Sequence, residues 1–257
     1  MKVWIKRVLK VLLPLVIWLG LWQYMAWRVG LELLLPGPGR VLERLIALCP
    51  TAPFWHAALA TLGRVFLGGA LGALAGALVA AVSARWEVCG WVLTPLMKIV
   101  RATPVASFII LVWLWYTSNT VPALIAGLMS APVVWGATAQ AIEATDPRLL
   151  EMARAYRLSR GKTARLIYIP SVLPGFLAGC RTALGLAWKA GVAAEVLCRP
   201  RWALGSQVYN AKLSLETADL FAWTAVVILL SFVLEKALWG LWRLADGKGR
   251  RSLDGAS

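Results

Sequence analysis

The sequence predicts an all-α, polytopic membrane protein with six transmembrane helices, and three observations predict it. The chain of 257 residues is 60% hydrophobic and only 15% charged, whereas soluble domains run near about 45–50% apolar and about 25% charged. Six stretches are long and apolar enough, or nearly so, to cross a bilayer core of about 30 Å at about 1.5 Å per residue. Lys and Arg fall unevenly between the connections. A soluble fold could not hide this much apolar surface and still present a polar exterior to water.

The first stretch runs from about Val8 to Trp27. Lys2, Lys6, Arg7 and Lys10 before it resemble the basic start of a signal peptide, but the chain continues as Gln23-Tyr24-Met25-Ala26-Trp27 with no small-residue cleavage site, so a retained helix is expected. The second runs from about Ala57 to Val82, and the third from about Leu93 to Tyr116, with Lys98 and Arg101 near its start. The fourth is about Val121 to Ile142, the fifth about Val172 to Leu197 and the sixth about Ala218 to Trp242. The expectation is a single transmembrane domain over 1–257: an N-terminal helix (about 8–27), a core (about 57–242), a loop (about 143–170) and a tail (243–257).

With the N-terminus inside, the inner segments hold the basic start, Arg85, Lys98, Arg101, the run from Arg148 to Arg165, Lys236 and the basic tail. The outer segments hold only Arg28, Arg40, Arg44, Arg64, Arg199, Arg201 and Lys212. Basic residues gather on the cytoplasmic side of membrane proteins, so both termini and the 143–170 loop are expected in the cytoplasm. The same bias accounts for the net charge of +15. The charge is dispersed between apolar runs and forms no stripe, so no nucleic acid partner is expected.

Within the spans, Gly68, Gly72 and Gly76 recur at spacing four. Small residues at that spacing let another helix approach closely, either a helix of the same chain or one of a second subunit. Pro14, Pro95, Pro104, Pro132 and Pro174 fall in or beside spans, where each removes a backbone donor and tends to kink its helix.

Catalytic and metal chemistry find no constellation. Cys49, Cys89, Cys180 and Cys198 form no C-x-x-C pair, and His56 is the one histidine, so no metal site is expected. No catalytic residue is assigned.

The loop from Thr145 to Pro170 carries the most information. Asp146-Pro147 is a helix start, with Asp accepting from free N–H groups and Pro fitting the first turn. Leu149, Leu150, Ala153 and Tyr156 then recur at helical spacing, with Arg148, Glu151, Arg154 and Arg160 mostly off that face. Gly161 offers a stop. The result is a short amphipathic helix outside the membrane, resting on lipid headgroups or docking a soluble partner. Gly161-Lys162-Thr163 imitates the end of a phosphate-binding loop, but position 156 is Tyr where that motif needs Gly, and the flank is helical.

These residues resemble the cytoplasmic loop of ABC importer permeases, whose pattern is E-A-A, three residues, G, nine residues, I-x-L-P. Glu151, Ala153, Ile167 and Pro170 match it; Met152 replaces an alanine, Ile169 a leucine, and Arg157 stands where glycine is usual. The similarity extends toward the nitrate/sulfonate/taurine type through Thr61-Leu62-x-Arg64, Pro95, Arg101-Ala-Thr-Pro104, Gly179-x-Arg181-x-Ala-Leu-Gly185-x-Ala-Trp188 and Ala194-Glu195. It covers roughly residues 60–240.

The resemblance implies a type I ABC importer permease fold and a transport subunit that is not itself an enzyme. It implies a second permease copy, two copies of an ABC ATPase carrying ATP and Mg, an extracytoplasmic solute-binding protein, and a home in the lipid bilayer of the inner membrane. This chain would hold no cofactor. The ATPase would dock on the coupling loop through Glu151, Ala153, Ala155, Tyr156, Arg157, Leu158, Ser159, Arg160 and Gly161. The cargo would be a small solute, for instance an anion such as sulfonate, nitrate or bicarbonate. An ATPase-independent secondary transporter or channel is the alternative, but it should show inverted repeats or intramembrane acid relays, and Glu195 is the one deeply placed acid.

Arg181, Trp188, Lys189 and Glu195 in the fifth span are the candidate pathway residues. A charge at mid-membrane costs at least about 2.5–3.5 kcal/mol on insertion scales, so such residues face an interior and find partners. Lys189 and Glu195 are six apart, about 240° round an ideal helix, and cannot pair within it. Lys189 either lines the pathway, favouring an anion, or pairs with a carboxylate on a neighbouring helix or snorkels to an interface.

Overall fold

The computed structural model describes residues 2–254, with side chains at position 10, from 12 to 237 and at 240. The side chains of Lys2, Lys6 and Arg7 and those of the 243–257 tail lie outside the described residues. Among the described residues every regular element is helical. Five helices are long and apolar enough to span a membrane, and a sixth span is a bent pair.

Helix α1 (Lys2–Val29) presents most of its apolar side chains outward and touches the rest near its end. There the Trp22 indole N–H donates to the Pro36 carbonyl at 3.1 Å, and its ring stacks on Phe221. Helix α2 (Pro38–Leu48) was not expected from sequence. Pro38 sits in its first turn after an extended Gly37, and Val41, Leu45 and Leu48 recur at helical spacing toward the core. At the edge of the same face Arg44 forks onto Asp219, with Nη2 to Oδ2 at 2.6 Å and Nε to Oδ1. Hydrogen bonding to that carboxylate pushes the Arg44 pKa up.

Helix α3 (Ala52–Arg85) contains the second expected span and ends where Trp86 turns extended. The third expected span is not one continuous helix. It divides into α4 (Glu87–Ala102) and α5 (Val105–Trp113), bent by 103°. Pro104 explains the break. It has no N–H to give and forces its predecessor out of the helical region, and Thr103 accordingly lies at φ −76°, ψ 133°.

Helix α6 (Val121–Glu143) is the fourth span. The loop that follows contains α7 (Pro147–Ala155) and α8 (Arg160–Thr163). Through a wider π-helical turn at Ala164–Tyr168, α8 runs on into α9 (Ile169–Cys198). In that turn the Ile169 N–H reaches the Ala164 carbonyl, which leaves room for the Pro170 ring against the preceding turn. Helix α10 (Leu204–Leu213) is a second element not expected from sequence, and α11 (Thr217–Asp254) holds the sixth span.

The core is α3, α6 and α9. A Cβ added at Gly68, Gly72 or Gly76 would lie 2.0, 2.2 and 2.2 Å from the carbonyl oxygens of Ala123, Gly127 and Ala131. The glycine ladder therefore serves packing within the chain, against small residues of α6 at the same spacing. Ser130 adds a hydrogen bond across this seam, Oγ to the Gly69 carbonyl at 2.9 Å. On the far side of α6, Gly175 and Gly179 meet Ala141 and Ala137 in the same manner. Opposite the ladder, Leu67, Leu71, Leu74 and Leu78 of α3 are all exposed. With small residues inside and leucines outside, the pattern suits helices that associate by close packing while lipid covers the apolar exterior.

Candidate functional site

The 143–170 loop is built as a compact platform. The Asp146 carboxylate accepts from the Arg148 N–H at 2.9 Å and caps α7. At the other end the Leu158 N–H bonds the Ala153 carbonyl at 2.9 Å and the Arg157 N–H bonds the Arg154 carbonyl at 3.0 Å. This is the pair of bonds that closes a helix through a left-handed residue, and the left-handed residue is Arg157, at φ 49°. Arg157 thus performs the turn for which a glycine is usual, at a cost of about 1–2 kcal/mol. Gly161 is not the stop expected from sequence, because the chain has already turned and Ser159 has begun α8 by accepting from the Lys162 N–H.

Only part of the expected apolar face turns inward. Ala153 is buried at 3% exposure, and Leu150 and Leu158 are half-buried. Tyr156 is 76% exposed and Leu149 is also exposed, because α7 is short and Tyr156 already lies past its last helical residue. Glu151, Met152, Ala155, Arg157, Ser159, Arg160 and Gly161 are exposed as well. Behind the platform a groove of about 1070 Å³ opens between α3, α6, α7 and α9, with Arg85, Arg154 and Arg160 among its lining residues. Thr138, 4% exposed, also lines it, and its hydroxyl has no partner among the described residues.

The pathway candidates of α9 divide into two pairs. Trp188 is 2% exposed and its indole N–H donates to the Val227 carbonyl at 3.2 Å, so it is a packing residue of the core in this chain. Glu195 is 0% exposed. Arg181 and Lys189 are exposed, and neither has a carboxylate partner among the described residues. Lys189 lies in an exposed stripe with Thr182, Leu186, Ala193 and Leu197.

Glu195 is the hub of a buried latch. One carboxylate oxygen accepts from the Thr61 hydroxyl at 2.8 Å and from the Gly205 N–H at 3.2 Å; the other accepts from Arg64 Nη1 at 3.2 Å. Thr61 Oγ1 in turn accepts from the Leu204 N–H at 3.0 Å. Arg64 reaches on to the carbonyls of Trp202 and Arg201 at 3.0 and 2.7 Å. A Cβ at Gly205 would lie 2.6 Å from that of Glu195, so glycine lets α10 start against α9. The latch thus fixes the 199–203 loop, in which Arg199 and Trp202 are both left-handed at φ 50° and 53°. Thr61, Arg64 and Glu195 were legible as separate pattern residues; what the sequence did not show is that they meet.

The apolar helices with their glycine-packed core make this a polytopic membrane protein. The chain matches the family described as "Binding-protein-dependent transport system inner membrane component" over residues 68–236, and it belongs to that family. It is 27% identical to the taurine transport system permease protein TauC of Escherichia coli over 86% of this chain and 82% of that one. It is 31% identical to the nitrate import permease protein NrtB of Synechococcus elongatus over 76% of this chain and 75% of that one. The fold is similar to the crystal structure of an amino acid ABC transporter with histidines, at a TM-score of 0.60 and 19% identity, covering 74% of this chain and 91% of that one. The protein is therefore a multi-pass permease subunit of an ATP-driven, binding-protein-dependent importer of the inner membrane. ATP hydrolysis belongs to a separate partner.

Proposed function

We propose that two copies of this chain form the translocation pathway for a small anion, with two ATPase subunits docked on their cytoplasmic platforms. Both termini then lie in the cytoplasm, ATP and Mg sit on the ATPases, and the binding protein delivers cargo to the opposite face. The observation that carries this reading is the 151–161 platform: capped at both ends, with Ala153 anchored inside while Tyr156 and Met152 project outward. An exposed apolar tip on a rigid base fits a pocket of a soluble partner better than it fits water.

The anion rests on two supports. Relatives named for taurine, nitrate and bicarbonate transport are 27%, 31% and 24% identical to this chain, although another at 27% is named for riboflavin. In addition, Lys189 lies nine residues before the end of α9, roughly 14 Å inside at 1.5 Å per residue. A lysine at that depth is costly against lipid, so its stripe faces the pathway shared with the second copy.

The test is native mass measurement of the permease co-expressed with its ATPase, with Tyr156→Asp and Glu151→Lys as variants. Two permeases with two ATPases are expected for the parent, and loss of the ATPases without loss of membrane insertion for the variants. A parental complex that forms unchanged with both variants refutes the docking surface.

A further inference from the structure

At the end of α9 opposite the platform, a pocket of about 720 Å³ lies between the close of α5, the 199–203 loop and α10. Its polar lining comes from Ser118, Arg199, Arg201, Gln207 and Asn210, beside the rings of Trp113 and Trp202. No carboxylate among the described residues lines it. Among the described residues neither arginine meets an acid. Arg199 lies over the Tyr209 ring at 4.9 Å and Arg201 over the Trp202 ring at 5.5 Å. A ring contact of this kind consumes no N–H donor in an ion pair, and a guanidinium fork matches a pair of oxygens on an oxyanion. Gln207 and Asn210 stand three apart on α10, so their amides reach one side of the helix and add neutral donors.

The backbone supports the same conclusion. Arg199 is the left-handed residue that closes α9, and the loop after it is held by Arg64, which grips two carbonyls from within, and by Ser206 Oγ, which donates to the Pro200 carbonyl at 2.7 Å. A loop held in this way presents its arginines in a fixed arrangement, which lowers the cost of ordering them around a ligand. The nearby acid, Glu195, is committed to Arg64, Thr61 and Gly205, so the two exposed arginines remain unneutralised.

The geometry points to an oxyanion site in this pocket, in which Arg199 and Arg201 receive a small solute of the sulfonate, nitrate or bicarbonate class at the mouth of the pathway. The proposal deepens the importer reading and rests on it for the direction of transport; the site itself stands on the pocket. A volume of this size admits a small solute.

The test uses the full-length permease in nanodiscs of phosphatidylcholine alone, with and without its ATPase. Methanesulfonate, nitrate and bicarbonate are titrated at constant ionic strength, and the rise in melting temperature is read. At least one should stabilise the parent saturably. Arg199→Asn with Arg201→Gln should weaken the apparent affinity about tenfold or more, as loss of charge-assisted forks implies; Asn is chosen because it tolerates a left-handed backbone. Lys212→Gln, in the same segment but outside the pocket, should change nothing. If the double variant fails to fold, Arg201→Lys keeps the charge, loses the fork and should still weaken binding.

The proposal is overturned if no oxyanion stabilises the parent, or if the double variant responds equally. It is also overturned if stabilisation appears only with phosphatidylglycerol in the disc, which would assign the arginines to lipid phosphates. Unchanged anion response with lost stimulation by the binding protein would assign them to that protein's docking and overturn the site as well. Anion response without ATPase assembly would leave the site standing and remove the proposed docking of ATPases on the platform; assembly without anion response would do the reverse.

Discussion

The latch at Glu195 allows a quantitative test of what holds the 199–203 loop. Glu195→Gln keeps an amide oxygen to accept from Thr61 and Gly205 but turns its NH2 toward the Arg64 guanidinium, which now lies 3.2 Å from the second carboxylate oxygen. The charge-assisted bond is lost, and such bonds are worth about 1.5–3 kcal/mol. Arg64→Gln loses the same bond, leaves a carboxylate buried at 0% exposure without its cation, and releases the carbonyls of Arg201 and Trp202. Breaking a fully buried pair from one side costs about 3–5 kcal/mol, and the 19% exposure of the Arg64 side chain places this variant toward the lower end. The double variant should be less destabilised than the sum of the singles by about 1.5–3 kcal/mol. Equilibrium unfolding in detergent, followed by tryptophan fluorescence, reads all four corners of the cycle. A second readout is tryptic cleavage after Arg201, which should quicken in both single variants as the loop loosens. Additivity within about 0.5 kcal/mol, the range seen for independent sites, would refute the latch.

Three further outcomes follow from particular contacts. Gly72→Ala should destabilise by about 2 kcal/mol or more, since its Cβ would lie 2.2 Å from the Gly127 carbonyl and the Ser130 hydroxyl in a seam that cannot yield cheaply; Gly63→Ala, with nothing within 4 Å, should be neutral or stabilising by about 0.5–1 kcal/mol, and equal melting temperatures for the two would refute the ladder. Arg157→Gly should raise stability by about 1 kcal/mol by relieving the left-handed strain and leave ATPase assembly intact; a fall in melting temperature would show that the arginine side chain holds the turn. Lys189→Met should preserve the fold, because no carboxylate pairs with it among the described residues, and should reduce anion transport; lost stability with parental transport per folded complex would make it a structural residue.

The spans were legible because roughly 20 apolar residues in a row leave few alternatives, and the described bounds of α3, α6 and α9 extend the expected ones by a few residues. Helices α2 and α10, with 11 and 10 residues, fall below the length at which apolar runs are telling, although Val41, Leu45 and Leu48 carried a readable period. Thr103-Pro104 marked a break, but its 103° angle depends on what α4 and α5 pack against. The ladder at Gly68, Gly72 and Gly76 announced a close approach without its partner; the answering series Ala123, Gly127 and Ala131 was present in the fourth span at the same spacing. Trp188 and Glu195 suggested a pathway because aromatic and charged residues in a span attract that reading. Their burial comes from Val227, Thr61 and Arg64, residues distant in sequence, and no local pattern reports such meetings.

The described structure also joins the two ends of the molecule mechanically. From Arg160 to Cys198 the backbone is helical without a gap, passing from the platform through the π-helical turn into α9. Thirty residues of α9 alone span about 45 Å at 1.5 Å per residue, more than the hydrocarbon thickness. A displacement of the platform by a docked ATPase would therefore be delivered along a stiff rod to Glu195 near its far end. There the rod is hydrogen-bonded to α3 through Thr61 and Arg64 and to α10 through Gly205. Packing along the way is close, with Gly175 and Gly179 against the methyls of Ala141 and Ala137 on α6, so little of the motion can be absorbed by side-chain rearrangement. The irregular points are the wide turn at 164–168 and the left-handed loop at 199–203, one at each end of α9. Proteins that switch between two openings move rigid bodies against one another about a few terminal or loop residues. Among the described residues, Arg64 is the side chain that hydrogen-bonds both Glu195 on the rod and the carbonyls of the loop carrying Arg199 and Arg201, so a change in the latch becomes a change in that loop.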